Sequence, residues 1–317
     1  MQAIPDDAVQ VSRRLVDNVG LVLQGKHEAA ELAVVALLAR GHLLVEDVPG
    51  VGKTSLARAL ARSVGVGFRR LQFTSDMMPA DVLGGSVFDQ ARTTFVFRPG
   101  PIFTNVLLAD EVNRTTPKTQ SALLEAMAER QVSIDGVTHV LEEPFFVVAT
   151  QNPDELYGTY PLPESQLDRF LLRLHIGYPP PEVERRVIAE RRGVDPVEAL
   201  EPVVTRDALL SAQQAVEDVR VEGVLLDYLH AVVLATREAP GLERGASTRA
   251  ALALERSVRA LALVRGRAYA TPDDVKALAV PVLAHRVRLA GDHAGVTVRA
   301  DAERVLQDVL ASVAVPV

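Results

Sequence analysis

A glycine-rich loop followed by lysine and threonine is the strongest chemical signal in the sequence. It reads Pro49-Gly50-Val51-Gly52-Lys53-Thr54-Ser55, after the apolar run Leu43–Val45 and before the helix-forming stretch Leu56–Arg62. Strand, turn and helix start are the context that a phosphate-binding loop requires. The glycines let backbone N–H groups point at phosphate oxygens, and the helix N-terminus adds partial positive charge. The sequence therefore predicts that Lys53 contacts the outer phosphates of a nucleotide and that Thr54 binds Mg²⁺.

One residue departs from the usual phosphate-loop pattern. Six positions before the lysine, where such loops usually have their first glycine, the chain has Asp47. A chance Gly-Lys-Thr turn is the alternative interpretation until the rest of the chain is considered. The effect of Asp47 on loop geometry and on nucleotide affinity stays open at this point.

Two adjacent acids end a second apolar run. The segment Asn105–Asp110 is followed directly by Glu111. In a phosphate-loop protein Asp110 would hold Mg²⁺, directly or through water, and Glu111 would polarise the water that attacks the γ-phosphate. Adjacent acids at a strand end are also common as solvated loop residues. Their position downstream of a phosphate loop favours the catalytic interpretation.

Three more polar residues could complete a site for phosphoryl transfer. Asn152 follows the apolar run Phe145–Thr150 and could bind the attacking water or the γ-phosphate, although Asn-Pro also simply initiates turns. Arg169 is the first candidate for an arginine finger and Arg173 the second, and such a cation can come from a neighbouring subunit. Arg249 begins a later helix, where a cation opposes the helix dipole, so we expect it to serve a bound anion. An ordinary surface salt bridge is the alternative for each arginine.

The elements that must position these residues have α/β character up to about residue 178. Helices predicted at 8–24, His27–Ala39 and Lys118–Arg130 alternate with short apolar runs bounded by turn residues or charges. These runs predict five parallel strands, namely His42–Glu46, Arg70–Thr74, Asn105–Asp110, Phe145–Thr150 and Leu171–Ile176. Helices on both faces would give a three-layer sheet, in which ligands bind at the carboxyl ends of the strands.

Residues 75–104 do not fit a simple crossover between two strands. Four of the nine phenylalanines of the chain lie here, namely Phe88, Phe95, Phe97 and Phe103. The run Thr93–Phe97 predicts one strand of a hairpin. A hairpin packed on its own domain and an insertion that presents apolar residues to a partner are both compatible with this pattern.

Three consecutive prolines after Tyr178 mark the clearest boundary, because proline stops both helices and strands. We therefore divide the chain into a nucleotide-binding domain, 1–178, and a helical domain, 179–317. The predicted helices of the second domain are Glu182–Arg192, Thr205–Val219, Val224–Glu238, Ser247–Arg265, one that begins at Pro272, and Ala300–Ser312.

Composition excludes several classes of protein. Without cysteine the chain forms no disulfides and no sulfur-based zinc site, and it fits a reducing cytoplasm. A net charge of −7 makes nucleic acid an unlikely partner. The seven histidines lack metal-ligand spacing. The longest apolar run, Leu32–Ala39, is too short to span a bilayer, and the acidic N-terminus lacks the features of a signal peptide, so we expect no stable membrane insertion.

The set of segments, in this order, resembles the MoxR family of AAA+ ATPases over most of the chain. The segments that carry the resemblance are Pro49–Thr54, Ala109–Thr115, Gln120–Met127, Ala149–Pro153, Gly158–Glu164, Gln166–Phe170 and Gly245–Ala250. The resemblance implies an AAA+ αβα domain followed by a small all-α lid. It further implies that Lys53 and Thr54 belong to Walker A, Asp110 and Glu111 to Walker B, Asn152 to sensor 1, Arg169 to the arginine finger and Arg249 to sensor 2. Residues 75–104 match the helix-2 insertion, and Thr248 stands where the family often has proline.

The same resemblance implies an activity and partners. Members of the family form ring hexamers with ATP and Mg²⁺ bound between subunits. They resemble chaperones that remodel or mature client complexes, for example by cofactor or metal insertion, often beside a von Willebrand factor A-domain protein. The alternatives are a nucleotide-gated scaffold with negligible turnover, a small-molecule kinase that shares only the phosphate loop, and a nucleic-acid-dependent motor.

Overall fold

A five-stranded parallel sheet lies at the centre of the molecule. The computed structural model describes residues 6–152, 158–190, 195–291 and 296–316. Its strands are β1 (Leu43–Glu46), β2 (Phe68–Gln72), β3 (Gly84–Asp89), β4 (Thr94–Pro99), β5 (Val106–Asp110), β6 (Gln131–Ile134), β7 (Val137–Val140), β8 (Phe146–Gln151), β9 (Leu172–Leu174), β10 (Leu242–Arg244) and β11 (Arg288–Leu289). The central sheet has the order β2-β5-β8-β1-β9, with every neighbouring pair parallel. All five carboxyl ends therefore lie at one edge.

Helices cover both faces of this sheet and continue to the end of the chain. They are α1 (Asp6–Val22), α2 (His27–Leu38), α3 (Lys53–Val64), α4 (Pro79–Leu83), α5 (Pro117–Glu129), α6 (Glu164–Leu167), α7 (Pro181–Glu190), α8 (Arg206–Ala215), α9 (Gly223–Glu238), α10 (Thr248–Val264), α11 (Pro272–Leu283) and α12 (Val296–Ser312). Among the described residues, no helix has the length and apolarity needed to cross a bilayer. The AAA+ αβα sheet and the helical lid predicted from the sequence are confirmed.

The alternation of side chains along the strands creates two hydrophobic clusters. In β1, Leu43 and Val45 join the cluster of α1, α2, α3 and the helices after β9, whereas Leu44 joins a cluster with α4, α5 and β6. Successive residues of a strand point to opposite faces, so a strand buried on both sides must be apolar throughout. This is why the strands read as unbroken apolar runs in the sequence.

The first two helices bind the lid helices to the sheet. The α2 helix is buried on nearly every side and packs against β9 and α10, as expected for a helix without a polar face. In α1 the side chains of Leu15 and Val19 are fully buried, and this helix packs against α3 and α8. The first hydrophobic cluster therefore extends without interruption from the sheet into the lid helices.

Most predicted elements agree with the structure to within a few residues. Strand β2 begins at Phe68 rather than Arg70 because Phe68 and Arg69 already pair with β5. The predicted end of the helix Glu182–Arg192 lies outside the described residues. Two small ladders were not predicted: β10 pairs with β11 within the lid, and β6 pairs with β7. The turn of the second ladder is Asp135-Gly136, both at positive φ, an Asp-Gly signal that could have identified this hairpin.

The insertion after β2 contains the predicted hairpin. Strands β3 and β4 pair antiparallel, and Gly84 adopts φ 87° where the two backbones meet so closely that a Cβ would lie 2.2 Å from the Arg98 carbonyl oxygen. On one side of the hairpin Phe97 stacks on His139 of β7, with ring centroids 3.9 Å apart. Two residues nearer the tip of the hairpin, Phe95 is 70% exposed. One part of the hairpin thus packs on its own chain while another part faces solvent.

Capping residues begin three of the helices that were predicted after residue 178. Thr205 and Ser247 each accept a hydrogen bond from a backbone N–H in the first turn of α8 and α10. Thr271 and Asp274 form a capping box at the start of α11, with Pro272 at its first position. Such caps satisfy N–H groups that have no partner within the helix. The sequence therefore locates the beginnings of these helices well.

Candidate nucleotide site

The phosphate loop connects β1 to α3 at the carboxyl edge of the sheet. Gly50 and Gly52 have φ 88° and 100°, and Gly52 is the N-cap of α3. No side chain caps this helix. A Cβ added at Gly50 would meet nothing within 4 Å. The first-turn N–H groups of α3 therefore face a space in which an anion can bind them.

The lysine of the loop lies over the ends of two neighbouring strands. The Lys53 Nζ atom donates a hydrogen bond to the carbonyl oxygen of Asp47 at 2.7 Å and lies 3.5 Å from that of Gln151. The first carbonyl directly follows β1 and the second ends β8, and these two strands are adjacent in the sheet. The ammonium group is thus held at the place where a phosphate on the loop would need it.

The aspartate at the glycine position has a structural explanation. The side chain of Asp47 is buried, and its Oδ2 atom accepts hydrogen bonds from the backbone N–H groups of Ile176 (2.7 Å) and Gly177 (2.8 Å). Its Oδ1 atom accepts from the N–H of Val48 at 3.0 Å. The backbone of Asp47 has a negative φ, so glycine is not needed there. The carboxylate ties the phosphate loop to the segment after β9.

The two acids that the resemblance assigns to Walker B lie at the end of β5 and directly after it, and neighbouring side chains hold both. Thr150 of β8 donates its hydroxyl to Asp110 Oδ1 at 2.6 Å and accepts the Glu111 backbone N–H at 2.9 Å. Arg70 of β2 donates to Asp110 Oδ2 at 2.6 and 3.0 Å. Asp110, the predicted Mg²⁺ ligand, is therefore ion-paired with Arg70 in this structure.

The second acid has a backbone conformation that is uncommon outside glycine. Glu111 adopts φ 57°, and its Oε2 atom accepts hydrogen bonds from Gln72 Nε2 at 2.5 Å and from Arg114 Nε at 3.0 Å. Gln72 is the register partner of Asp110 across β2 and β5. Sequence reasoning missed Arg70, Gln72 and Thr150 because their roles depend on strand register.

The structure brings four of the predicted residues to one edge of the sheet. Asn152 is 7% exposed and follows β8, which lies between β5 and β1. Lys53, Asp110, Glu111 and Asn152 therefore lie at the ends of three adjacent strands. An acid that can polarise water, a phosphate-binding lysine and a buried amide are the groups that hydrolysis of a γ-phosphate needs.

Arg169 and Arg249 lie at the opposite edge of the sheet. They line a cavity of about 730 Å³ together with Gly41 and His42, which precede β1, whereas the phosphate loop follows β1. The four residues of β1 separate the two places by about 13 Å. Arg249 is 73% exposed and lies 3.4 Å from Asp168, next to Arg169 in the chain. This placement keeps Arg249 away from the phosphate loop of its own chain.

The cavity holds more cations than sequence reasoning identified. Arg169 donates to the Leu124 carbonyl oxygen at 2.9 Å, and burial together with nearby Arg130 lowers the pKa of Arg256. Further arginines line the same cavity, namely Arg40, Arg259 and Arg286. Arg173, the second candidate for the finger, is elsewhere: its side chain is 9% exposed and pairs with Glu46 and Glu303. That burial argues against a role at a neighbouring subunit.

Relatives of known sequence and structure share this architecture. The family model described as "ATPase family associated with various cellular activities (AAA)" matches residues 42–172, and "AAA lid domain" matches residues 234–311. The chain is 44% identical to "Chaperone MoxR1" of Mycobacterium tuberculosis over 97% of this chain and 83% of that protein. This chain belongs to the MoxR family of AAA+ ATPases.

Two further comparisons cover nearly the whole of this MoxR-family chain. It is 45% identical to the uncharacterised protein YeaC of Bacillus subtilis, over 99% of this chain and 98% of that protein. The crystal structure of an ATPase candidate from Cytophaga hutchinsonii superimposes with a TM-score of 0.86 at 34% identity, covering 98% of both chains. The MoxR-family chain is thus a nucleotide-binding ATPase with a chaperone among its relatives.

A second cavity of the MoxR-family chain adjoins its phosphate loop. It has a volume of about 350 Å³ and lies between the α1–α2 connection, the loop and residues in and beside α7. Gly50, Gly52 and Ser55 form one side. The remaining walls are mainly apolar, from Val22, Leu23, Val51, Pro179, Val187 and Pro196. An apolar recess beside a phosphate loop is suited to the base of a nucleotide.

Proposed function

We propose that this protein is an ATP-driven remodeller whose active sites are shared between neighbouring subunits of a ring. Residues 1–178 would bind the nucleotide, and residues 179–317 would form the lid. The observation that carries the proposal is the placement of Arg169 and Arg249 together at the sheet edge opposite the phosphate loop. Cations at that edge can serve a nucleotide only if it is bound to another subunit. A hexamer is the ring size that the resemblance implies.

In this proposal each residue of the carboxyl edge has a chemical task. The loop N–H groups and Lys53 bind the phosphates, and Glu111 polarises a water that Asn152 orients toward the γ-phosphorus. The water oxygen bonds to phosphorus as the bond to the β–γ bridging oxygen breaks, giving ADP and phosphate. Arg169 and Arg249 of a neighbour stabilise the charge on the transferred group.

Magnesium fits the oxygen donors of the same edge. The Thr54 hydroxyl and the Asp110 carboxylate are the hard oxygen ligands that Mg²⁺ prefers beside phosphates. In this structure Arg70 is ion-paired with Asp110 Oδ2, so the arginine would have to leave this oxygen for the metal to bind it. When bound, Mg²⁺ would neutralise charge on the phosphate oxygens.

A complementation assay tests the shared site. Glu111→Gln removes the acid of a subunit's own site, and Arg249→Ala removes the cation that it gives to a neighbour. Each variant alone should lose most ATPase activity, and mixing the two should restore part of it, because some interfaces then combine an intact Glu111 with an intact Arg249. If sedimentation verifies that the two variants form mixed rings and these rings recover no ATPase activity, the shared site is refuted.

The remodelling role rests on the kinship with a protein named as a chaperone and on the exposed hairpin. Phe88 and Phe95 form an edge-to-face pair with centroids 5.4 Å apart, and both are largely exposed. Exposed aromatic pairs of this kind mark surfaces that bind proteins. We propose that the hairpin contacts a client complex, such as one that receives a cofactor or metal, and that a von Willebrand factor A-domain protein assists.

Affinity capture with and without the hairpin tests the client role. Glu111→Gln with ATP should hold the client-bound state. A protein captured by Glu111→Gln should be lost when Phe88→Ser and Phe95→Ser are added, while ATP affinity is unchanged. If the same protein is captured equally well with and without the two phenylalanine substitutions, the proposed contact is contradicted.

A nucleotide-gated scaffold with negligible turnover is the second candidate. The ion pair of Arg70 with Asp110 favours it, because the arginine occupies the carboxylate that the metal needs. Steady-state phosphate release from wild type beside Glu111→Gln separates the two functions. Equal and negligible rates would favour the scaffold, whereas a clear excess for wild type supports the remodeller.

A further inference from the structure

One arginine of the cavity at the sheet edge opposite the phosphate loop has no counter-charge. Among the described residues, the Arg256 guanidinium has no hydrogen bond and no carboxylate within ion-pair distance. The residue is exposed, yet the surrounding protein desolvates its guanidinium and lowers its pKa. Nearby Arg130 lowers this pKa too, and the more distant carboxylates of Glu255 and Glu217 do not restore it. A cation partly removed from water and left without a partner is unfavourable, so an anion from outside the chain would complete this position.

The acids of the cavity are not placed to neutralise Arg256. Two of them pair with other arginines of the same cavity, namely Asp168 with Arg249 at 3.4 Å and with Arg286 at 2.8 Å, and Glu255 with Arg259. The remaining two acids, Glu129 and Glu217, lie beyond ion-pair distance of Arg256. The cavity therefore keeps one arginine of α10 available for a ligand.

Helix α10 presents Arg256 and Arg249 on the same face. The two residues are seven positions apart, which is nearly two helical turns, and Leu252 and Ala253 between them line the same cavity. Their separation along the helix axis is about 10 Å. An elongated anion that meets Arg249 at one end can therefore meet Arg256 further along the helix.

We propose that Arg256 binds the α- and β-phosphates of the nucleotide held by the neighbouring subunit, while Arg249 contacts its γ-phosphate. A guanidinium can donate two parallel N–H groups to phosphate oxygens. The α- and β-phosphates remain in ADP, so this contact persists after hydrolysis and links the two subunits until ADP leaves. The inference rests on the proposed shared site and adds a cation that strengthens nucleotide binding more than it stabilises the transition state.

Steady-state kinetics and ADP titrations of assembled rings test this role. Arg256→Gln should raise the KM for ATP and weaken ADP binding about tenfold, the loss expected for one hydrogen bond to a charged group. Its kcat should change by less than about twofold, whereas Arg249→Ala should lower kcat, because only Arg249 acts on the transferred group. Arg256→Lys keeps the charge without the paired donors and should recover part of the ADP affinity. Arg14→Gln, at an exposed position of α1, is the matched control.

Nucleotide binding to separated subunits adds a readout that distinguishes a contact across the interface from a structural role. At protein concentrations where sedimentation detects no rings, wild type and Arg256→Gln should bind ATP equally, because Arg256 does not reach the phosphate loop of its own chain. Weaker ATP binding by the separated variant would overturn the inference, as would a loss of kcat at unchanged KM in rings.

One further outcome separates this inference from the function on which it rests. Rings of Arg256→Gln with the KM and the ADP affinity of wild type would overturn the role of Arg256 while leaving the shared site intact. Mixed rings of Glu111→Gln and Arg249→Ala that recover no activity would instead contradict the shared site itself, and the role of Arg256 with it.

Discussion

Replacing Asp47 with alanine should destabilise the protein and loosen its phosphate loop. The substitution removes an acceptor from three backbone N–H groups, of Val48, Ile176 and Gly177, at 2.7–3.0 Å. Hydrogen bonds to a charged group contribute about 1.5–3 kcal/mol each. The carboxylate is also costly to bury, which offsets part of this gain. We expect a net loss of about 3 kcal/mol in the free energy of unfolding.

Chemical denaturation and hydrogen exchange measure this effect. The midpoint for Asp47→Ala should fall, and the amides of Ile176 and Gly177 should exchange faster, since their acceptor is lost. Asp17→Ala, which removes an exposed carboxylate from α1, is the control and should change stability by less than about 0.5 kcal/mol. The reasoning would be refuted if Asp47→Ala changed the free energy of unfolding as little as the control does and left hydrogen exchange at both amides unchanged.

Three other predictions concern His42, Gln72 and Gly84. Burial lowers the pKa of His42 from 6.5 to about 4. The neutral form therefore contributes stability above pH 6.5, and about 3 kcal/mol of the free energy of unfolding is lost as the pH falls toward 4. An NMR titration in which the ring titrates near pH 6.5 would contradict this. Gln72→Leu removes the hydrogen bond from Gln72 to Glu111 and should raise basal ATPase activity about fivefold. An unchanged rate in a phosphate-release assay would show that this hydrogen bond does not restrain Glu111. Gly84→Ala places a Cβ against the backbone of Arg98 and should disrupt the hairpin and client capture while ATP binding stays normal, as a nucleotide titration would verify.

The sequence predicts the fold and the carboxyl-edge residues because both depend on local patterns. The phosphate loop is a contiguous motif, and the strands are apolar runs because they are buried on both faces. Helix starts at Ser247 and Thr271 follow from the chemistry of their side chains. Such features can be recognised without knowing which strands are neighbours.

The remaining site residues depend on distances that the linear sequence does not contain. Gln72 contacts Glu111 only because β2 and β5 pair in a particular register. Asp47 is explained by two N–H groups about 130 residues away in the chain. The position of Arg249 depends on how the lid packs on the sheet, so its motif alone could not decide between its own site and a neighbour's.

The hydrophobic cluster shared by the sheet and the lid constrains how the protein can move. Leu37 of α2, Leu209 of α8 and Leu261 of α10 belong to one buried cluster with the inner residues of β1. Opening a hinge through this cluster would expose apolar surface at about 25 cal/mol per Å². We therefore expect the sheet, α2 and these lid helices to turn as one rigid body during the ATP cycle. Neighbouring subunits would then change their orientation relative to each other more than they change their internal structure.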